Sequence, residues 1–323
     1  MITTLVYRDH KLVAQDPSME ELAMLRAEPN VILWVDLAEP SDDETKQVLE
    51  KLFCFHPLAI EDCVNDTPFP KLETYDDYLH FVMHAVDTSE ATAFKTTELD
   101  LFLSKNYLVT YHHRLLAPVN AALERFLRNT SELVRGPDRF AHTILDFMVE
   151  AYKPPLEALR REIDKVEEDV LHEISAAELF PKVVALRKQL SGLRQIVRPQ
   201  REIAAELSQG KNAFIRSAIT PYLRDLAEEL GHIETQTQVW AEQLIISFRI
   251  FINKSSSEAN AGIRVLTAIT ALSFPALLVG GWYGMNFHHM PELGSLSGYP
   301  LAFALMLVGT YATYLFMRRK KWL

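Results

Sequence analysis

Enzymatic chemistry needs acids, bases, nucleophiles or metal ligands held at short spacing, and this chain offers few sets of that kind. His112 and His113 are adjacent, so on a strand they point to opposite faces and share no metal. Glu61 and Asp62 are a neighbouring carboxylate pair, a pattern met far more often on structural surfaces than in catalysis. Gly210-Lys211 lacks a glycine five residues upstream, and Asn212 stands where a phosphate-binding loop needs Ser or Thr, so no ATPase is expected. Cys54 and Cys63 are the only cysteines and form no CxxC pair, which suits a reducing compartment and argues against a cysteine-based zinc site. No catalytic residues, no cofactor and no enzyme activity are expected. A different chemistry is suggested at Gly284-Met285-Asn286, where an amide side chain and a glycine close a long uncharged run.

That run, from Val265 to Tyr283, carries no charge and has about the length a helix needs to cross a bilayer's hydrocarbon. A second apolar run covers 299–317, so the tripeptide should lie at a membrane surface between two spans. The loop from Gly284 to Gly298 holds no Lys or Arg, whereas Arg264, Arg318, Arg319, Lys320 and Lys321 flank the opposite ends of the spans. The bias predicts cytoplasmic termini and an external loop in a multi-pass protein of the cell (inner) membrane. The N-terminal stretch MITTLVYRDHKLVAQ has no long apolar core behind a basic start, so no signal peptide is expected. A net charge of -10 excludes the basic surface that a nucleic-acid partner requires. It suits a cytoplasmic body that attracts cations.

Before the spans the chain changes character twice. Residues 1–115 read as a cytoplasmic α/β domain, with strands at Val31–Leu37, Tyr78–Val86, Leu99–Leu103 and Tyr107–His112. Ser41 and Glu44 make a capping box for a helix through Leu52. Residues 116–212 read as a helical hairpin region. Leu156, Leu159, Ile163, Val166 and Val170 form one apolar stripe and Val183, Leu186, Leu190, Leu193 and Val197 another, with a break near Phe180-Pro181. Glu162, Asp164, Glu167, Glu168, Asp169 and Glu173 make an acidic face between them. In 213–287 a near-heptad stripe of Leu223, Leu226, Leu230, Ile233, Thr237, Trp240, Leu244, Ser247 and Phe251 predicts a stalk helix that continues into the first span. An external loop (288–298), the second span (299–317) and a basic cytoplasmic tail (318–323) complete the chain.

Tyr283-Gly-Met-Asn-Phe287, then Met290-Pro-Glu-Leu293, a second span and a terminal Arg318-Arg-Lys-Lys-Trp-Leu323 together resemble the CorA family of magnesium and cobalt transport proteins. His56-Pro-Leu-Ala-Ile-Glu-Asp62, Pro70-Lys71 and Tyr75-Asp-Asp-Tyr78 extend the resemblance into the soluble domain. It implies a funnel-shaped homopentamer: α/β cytoplasmic domains, long-helix stalks and two transmembrane α-helices per chain, the first span lining the pore. It also implies magnesium influx, with cobalt and nickel as further cargo. Two spans per chain cannot themselves enclose a polar path, because unshared polar lining would face lipid, so copies must gather in a ring.

On this resemblance Gly284, Met285 and Asn286 form the selectivity element. Asn260, Ile263, Leu266, Thr270, Phe274, Leu277 and Gly281, spaced by three and four, match the pore-facing series. Ile263, Leu266 and Phe274 would be its apolar constrictions, which can gate by expelling water. Magnesium dehydrates reluctantly, so a ring of Asn286 amide oxygens with the Gly284 carbonyl would hold the hydrated ion without stripping it. Met285 would pack between subunits, and Glu292 would raise the cation concentration at the mouth. His288 and His289 can take softer metals such as cobalt, nickel or zinc. Ile263 and Phe274 stand where relatives often carry methionine, and Arg249 lies where some carry a regulatory acid. Two alternatives stay open. A zinc transporter of the same superfamily typically varies the middle residue of the tripeptide, and a membrane-anchored coiled-coil signalling or scaffold protein leaves the tripeptide without purpose.

Overall fold

Runs rich in Val, Leu, Tyr, Phe and Thr give the strands β1 (Ile2–Arg8), β2 (Lys11–Gln15), β3 (Val31–Ala38), β4 (Lys71–Thr74), β5 (Leu79–Asp87), β6 (Lys95–Leu103) and β7 (Tyr107–His112). The computed structural model describes residues 1–87, 95–128, 134–171, 175–286, 290 and 294–320, and the chain divides into two compact units, Met1–Ser247 and Phe248–Leu323. In the first unit all seven strands join one sheet in the order β2-β1-β3-β7-β6-β5-β4. Only β3 and β7 run parallel. The four predicted strands are β3, β5, β6 and β7. The other three escaped: β1 and β2 turn at Asp9 and His10, with φ of 51° and 68°, a two-residue hairpin geometry usually marked by Asn-Gly, which this sequence lacks.

Alternation along the strands feeds two cores. Leu33, Val35, Leu37, Phe102, Val109 and Tyr111 join one buried cluster with Leu22 of α1 (Met19–Ala27), Phe53 and Phe55, and Ala59 and Cys63 of α3 (Pro57–Val64). On the other face Trp34 lies 6.1 Å from Phe126 of α4 (Ala117–Arg128) and 5.4 Å from Phe140 of α5 (Asp138–Glu150). The helices after residue 115 therefore cover the sheet. The Ser41 capping box is present and starts α2 (Asp42–Thr45), but Lys46–Leu52 continues as a π-helix, with Phe53 N donating to Val48 O at 2.9 Å.

The residues that carry the resemblance in this unit fasten α3 to β4 and β5. His56 Nδ1 accepts from Leu58 N at 3.2 Å, the His56 amide donates to Tyr78 Oη at 2.9 Å, and Tyr75 stacks on Tyr78 at 4.7 Å. Asp62 is ion-paired to Lys71 and Glu61 is exposed, so they do not face each other across a cleft as an acid–base pair. His112 and His113 point apart as expected. His112 Nε2 donates to Asp36 at 3.1 Å, and His113 Nε2 donates to the Cys63 carbonyl at 2.7 Å.

Both apolar stripes of the hairpin are buried, in α6 (Lys153–Leu171) and α7 (Ala176–Leu207). The break expected near Phe180-Pro181 is not there: α7 starts after Ser175 and runs through both Pro181 and Pro199. Pro181 is the sixth residue of α7, so it forfeits one helical bond there, as Pro199 does further on, but its fixed φ is helical and the buried stripe continues through both. Part of the acidic face is already partnered, Asp164 with Arg160, Asp169 with Lys182 and Glu167 with Gln243, whereas Glu173 lies outside the described residues. The near-heptad stripe of α8 (Thr220–Tyr283) is a packing surface, with Leu223, Leu226, Leu230, Ile233, Thr237, Trp240 and Leu244 buried.

One buried ion pair joins distant segments of this unit. Asp138, 2% exposed, accepts from Arg216 N and Nε, each at 2.9 Å. Asp138→Ala leaves a partly buried guanidinium unpaired and should cost about 3 kcal/mol, read as a lower urea midpoint for the purified chain. A midpoint within error of the parent would show the pair to be dispensable.

Candidate ion pathway

The second unit is built from the part of α8 after Ser247 and from α9 (Gly298–Arg319), both long and apolar enough to cross a membrane. Such a helix satisfies its own backbone, and its hydroxyls must do the same. Thr267, Thr270 and Ser273 return theirs to the carbonyls four residues back, at 2.8, 2.9 and 2.8 Å, as Thr313 does to Gly309 at 2.9 Å. The two helices touch where small residues permit. A Cβ on Gly309 would lie 3.0 Å from Pro275 Cβ, so the glycine is what lets the backbones approach.

From Val265 to Tyr283, partial or full burial on α8 falls on Ala268, Ala271, Leu272, Pro275, Ala276, Val279 and Tyr283. At about 100° per residue these centre on one side of the helix. Asn260, Ile263, Leu266, Thr270, Phe274, Leu277 and Gly281 centre about half a turn away, and all seven are exposed. Ile263, Leu266, Phe274 and Leu277 are each more than half exposed, although all are apolar. Leu266, Thr270 and Phe274 also border a cleft of about 560 Å3 that they share with Thr267, Ala271 and Thr313. A single chain thus presents the whole predicted series as one unpartnered stripe and brings none of it together across a path.

The helix ends where the sequence placed the membrane surface. Gly284 N donates to Gly280 O at 2.9 Å and Met285 N to Trp282 O at 3.3 Å, closing the last turn. The glycine is required by close approach rather than by a left-handed φ: a Cβ there would stand 2.9 Å from the Gly280 carbonyl oxygen. Met285 and Asn286 are exposed beyond it. Phe287, His288, His289, Pro291, Glu292 and Leu293 lie outside the described residues, as do Lys321, Trp322 and Leu323. Gly309 was missed in the sequence. Its only signal was a small residue within an apolar span.

A soluble α/β unit followed by two exposed apolar helices defines a membrane protein with a soluble domain. The family profile described as "CorA-like Mg2+ transporter protein" matches residues 29–319, so the chain belongs to this family of divalent-cation transporters. It is 28% identical over 289 residues to YfjQ of Bacillus subtilis, a provisionally assigned metal ion transporter, covering 90% of this chain and 89% of that one. It is 26% identical over 292 residues to the cobalt/magnesium transport protein CorA of Thermotoga maritima, covering 90% and 83%. The complete structure of the CorA magnesium transporter from Methanocaldococcus jannaschii superposes with a TM-score of 0.78 at 19% identity, over 100% of this chain and 99% of that one, and so shares its fold.

Gly309→Leu should push α9 off Pro275 and cost ~1–3 kcal/mol, the usual range for overpacking. Thermal unfolding of the detergent-solubilised chain measures it, and an unshifted transition would remove the close approach from the account.

Proposed function

We propose that this chain is one subunit of a homopentameric channel that conducts magnesium, and with it cobalt and nickel, into the cell down its electrochemical gradient. The observation that carries this reading is the exposed stripe from Asn260 to Gly281, centred about half a turn from the buried side of α8. Apolar residues on that side are left exposed among the described residues, and a ring of copies supplies the partner. Five is the number that the family resemblance implies.

In such a ring Asn286 and the Gly284 carbonyl form a neutral oxygen collar at the outer rim. Amide oxygens accept hydrogen bonds from the ion's water shell and hold it weakly enough for release, where a ring of carboxylates would trap it. Met285 packs between neighbouring copies. Ile263, Leu266 and Phe274 form apolar constrictions that close by dewetting, and Asn260 marks the cytoplasmic end. An inside-negative potential favours influx by about 2.3 kcal/mol per charge per 100 mV, about twice that for a dication, so no enzymatic step is needed. The distribution of Lys and Arg supports an inner-membrane topology with both termini cytoplasmic and Glu292 in the external loop.

Asn286→Ala should abolish magnesium uptake into vesicles while the oligomer, read by native mass, stays assembled. Uptake at the parent rate would refute the collar. Leu266→Ala or Phe274→Ala should raise the closed-state leak, and an unchanged leak would count against the gate. Measured beside magnesium, uptake of zinc alone would transfer the chain to the zinc-transporting branch.

A further inference from the structure

The soluble unit contains a second set of cation ligands that owes nothing to the pore. Glu98 and Asp100 are two residues apart on β6 and so share one face of the sheet. Their partners across the pairing are His84 and Val82, and His80 of β5 stands opposite Phe102, which puts His80 and His84 on the same face. Cys63, on α3, is buried with them. One ligand atom from each of Cys63, His80 and Asp100 lies within 4.8 Å of the other two, and all three residues are buried.

Two observations separate this group from an ordinary buried polar cluster. The first is unmet bonding. His80 Nε2, the ring nitrogen turned to this group, is 2.9 Å from Asp100 Oδ1. Glu98 accepts from Thr67 N at 2.5 Å through Oε2, while its Oε1 is buried without a partner. Native interiors rarely leave such atoms unsatisfied, because each costs its full desolvation. The second is the contrast with the adjoining set Asp62, Glu73 and His80, also close enough to hold an ion. There Lys71 already pairs with both carboxylates and Tyr75 donates to Glu73 at 2.7 Å, so that set is closed by side chains.

We propose that Cys63, His80 and Asp100, with Glu98 as the fourth ligand, form an intradomain site for a borderline dication of the zinc or cobalt class. Sulfur, imidazole and carboxylate together suit those ions, whereas magnesium favours an all-oxygen shell. Ligand atoms about 2.0–2.1 Å from a tetrahedral ion lie roughly 3.3 Å apart, so the His80–Asp100 separation needs only a small opening. A cavity of about 480 Å3 lined by Asp66, Thr67, His84, Glu98 and His113 gives access from the Glu98 side. Metal ligands bind deprotonated, so the ion displaces any protons they carry to solvent as it binds. Bound there, it ties α3 to β5 and β6 whether or not the pore carries magnesium.

Cys54, exposed and outside the group, is a built-in control. The full-length chain is stripped of metal in detergent and titrated with Co2+. A thiolate-to-cobalt charge-transfer band should saturate at one ion per chain, survive Cys54→Ser and excess Mg2+, and vanish in Cys63→Ser. Absence of the band in the parent, its survival in Cys63→Ser, its loss in Cys54→Ser or its loss to Mg2+ overturns the site. Should Cys63→Ser fail to fold, zinc-edge X-ray absorption of the Cys54→Ser chain decides. One sulfur at about 2.3 Å beside nitrogen and oxygen at about 2.0 Å supports the assignment, and a shell without sulfur overturns it.

Discussion

Hydrocarbon offers no hydrogen bonds, and the membrane unit is shaped by that constraint. Each of its two helices closes its own backbone ladder, and Thr267, Thr270, Ser273 and Thr313 bend their hydroxyls back onto it. A chain so self-contained has no polar surface to spare for a water-filled path. What it has is a division of faces: small and half-buried residues from Ala268 to Val279 towards α9, bulky exposed ones from Ile263 to Leu277 on the other side. On that exposed side the series from Asn260 to Gly281 is apolar but for Asn260 at its start and Thr270 in its middle, and the Thr270 hydroxyl is turned back to the Leu266 carbonyl.

Ile263 and Phe274 differ in shape, one β-branched and one aromatic, but both keep the exposed stripe apolar. Arg249 brings a positive charge to the part of α8 just inside the membrane unit.

The soluble unit holds two buried polar networks of opposite character. On one face of the sheet Trp34 Nε1 donates to Thr110 Oγ1 at 3.0 Å, Thr110 donates to Asp36 at 2.5 Å and His112 donates to Asp36 at 3.1 Å. That chain of bonds is satisfied by protein alone, as a structural network should be. On the other face Cys63, His80, Glu98 and Asp100 concentrate acid, imidazole and thiol and leave Glu98 Oε1 buried without a partner. The contrast between two neighbouring networks in one domain gives the second its meaning.

The sequence by itself determined whatever depends on local period and composition: four of the seven strands, the buried stripes of α6, α7 and α8, the two spans and the end of the first at Gly284. It also carried the family, because the tripeptide and its flanking patterns are contiguous. Tertiary structure decided what depends on distant residues meeting. Cys63, His80 and Asp100 lie on three separate elements, so the lack of a CxxC pair was silent about them, and cross-strand register had to place them. Pro275 against Gly309, the covering of the sheet by α4 and α5, and Asp62 facing Lys71 rather than a substrate are of the same kind. Periodicity fixes which side of an element is apolar, but pairing and packing choose what that side meets.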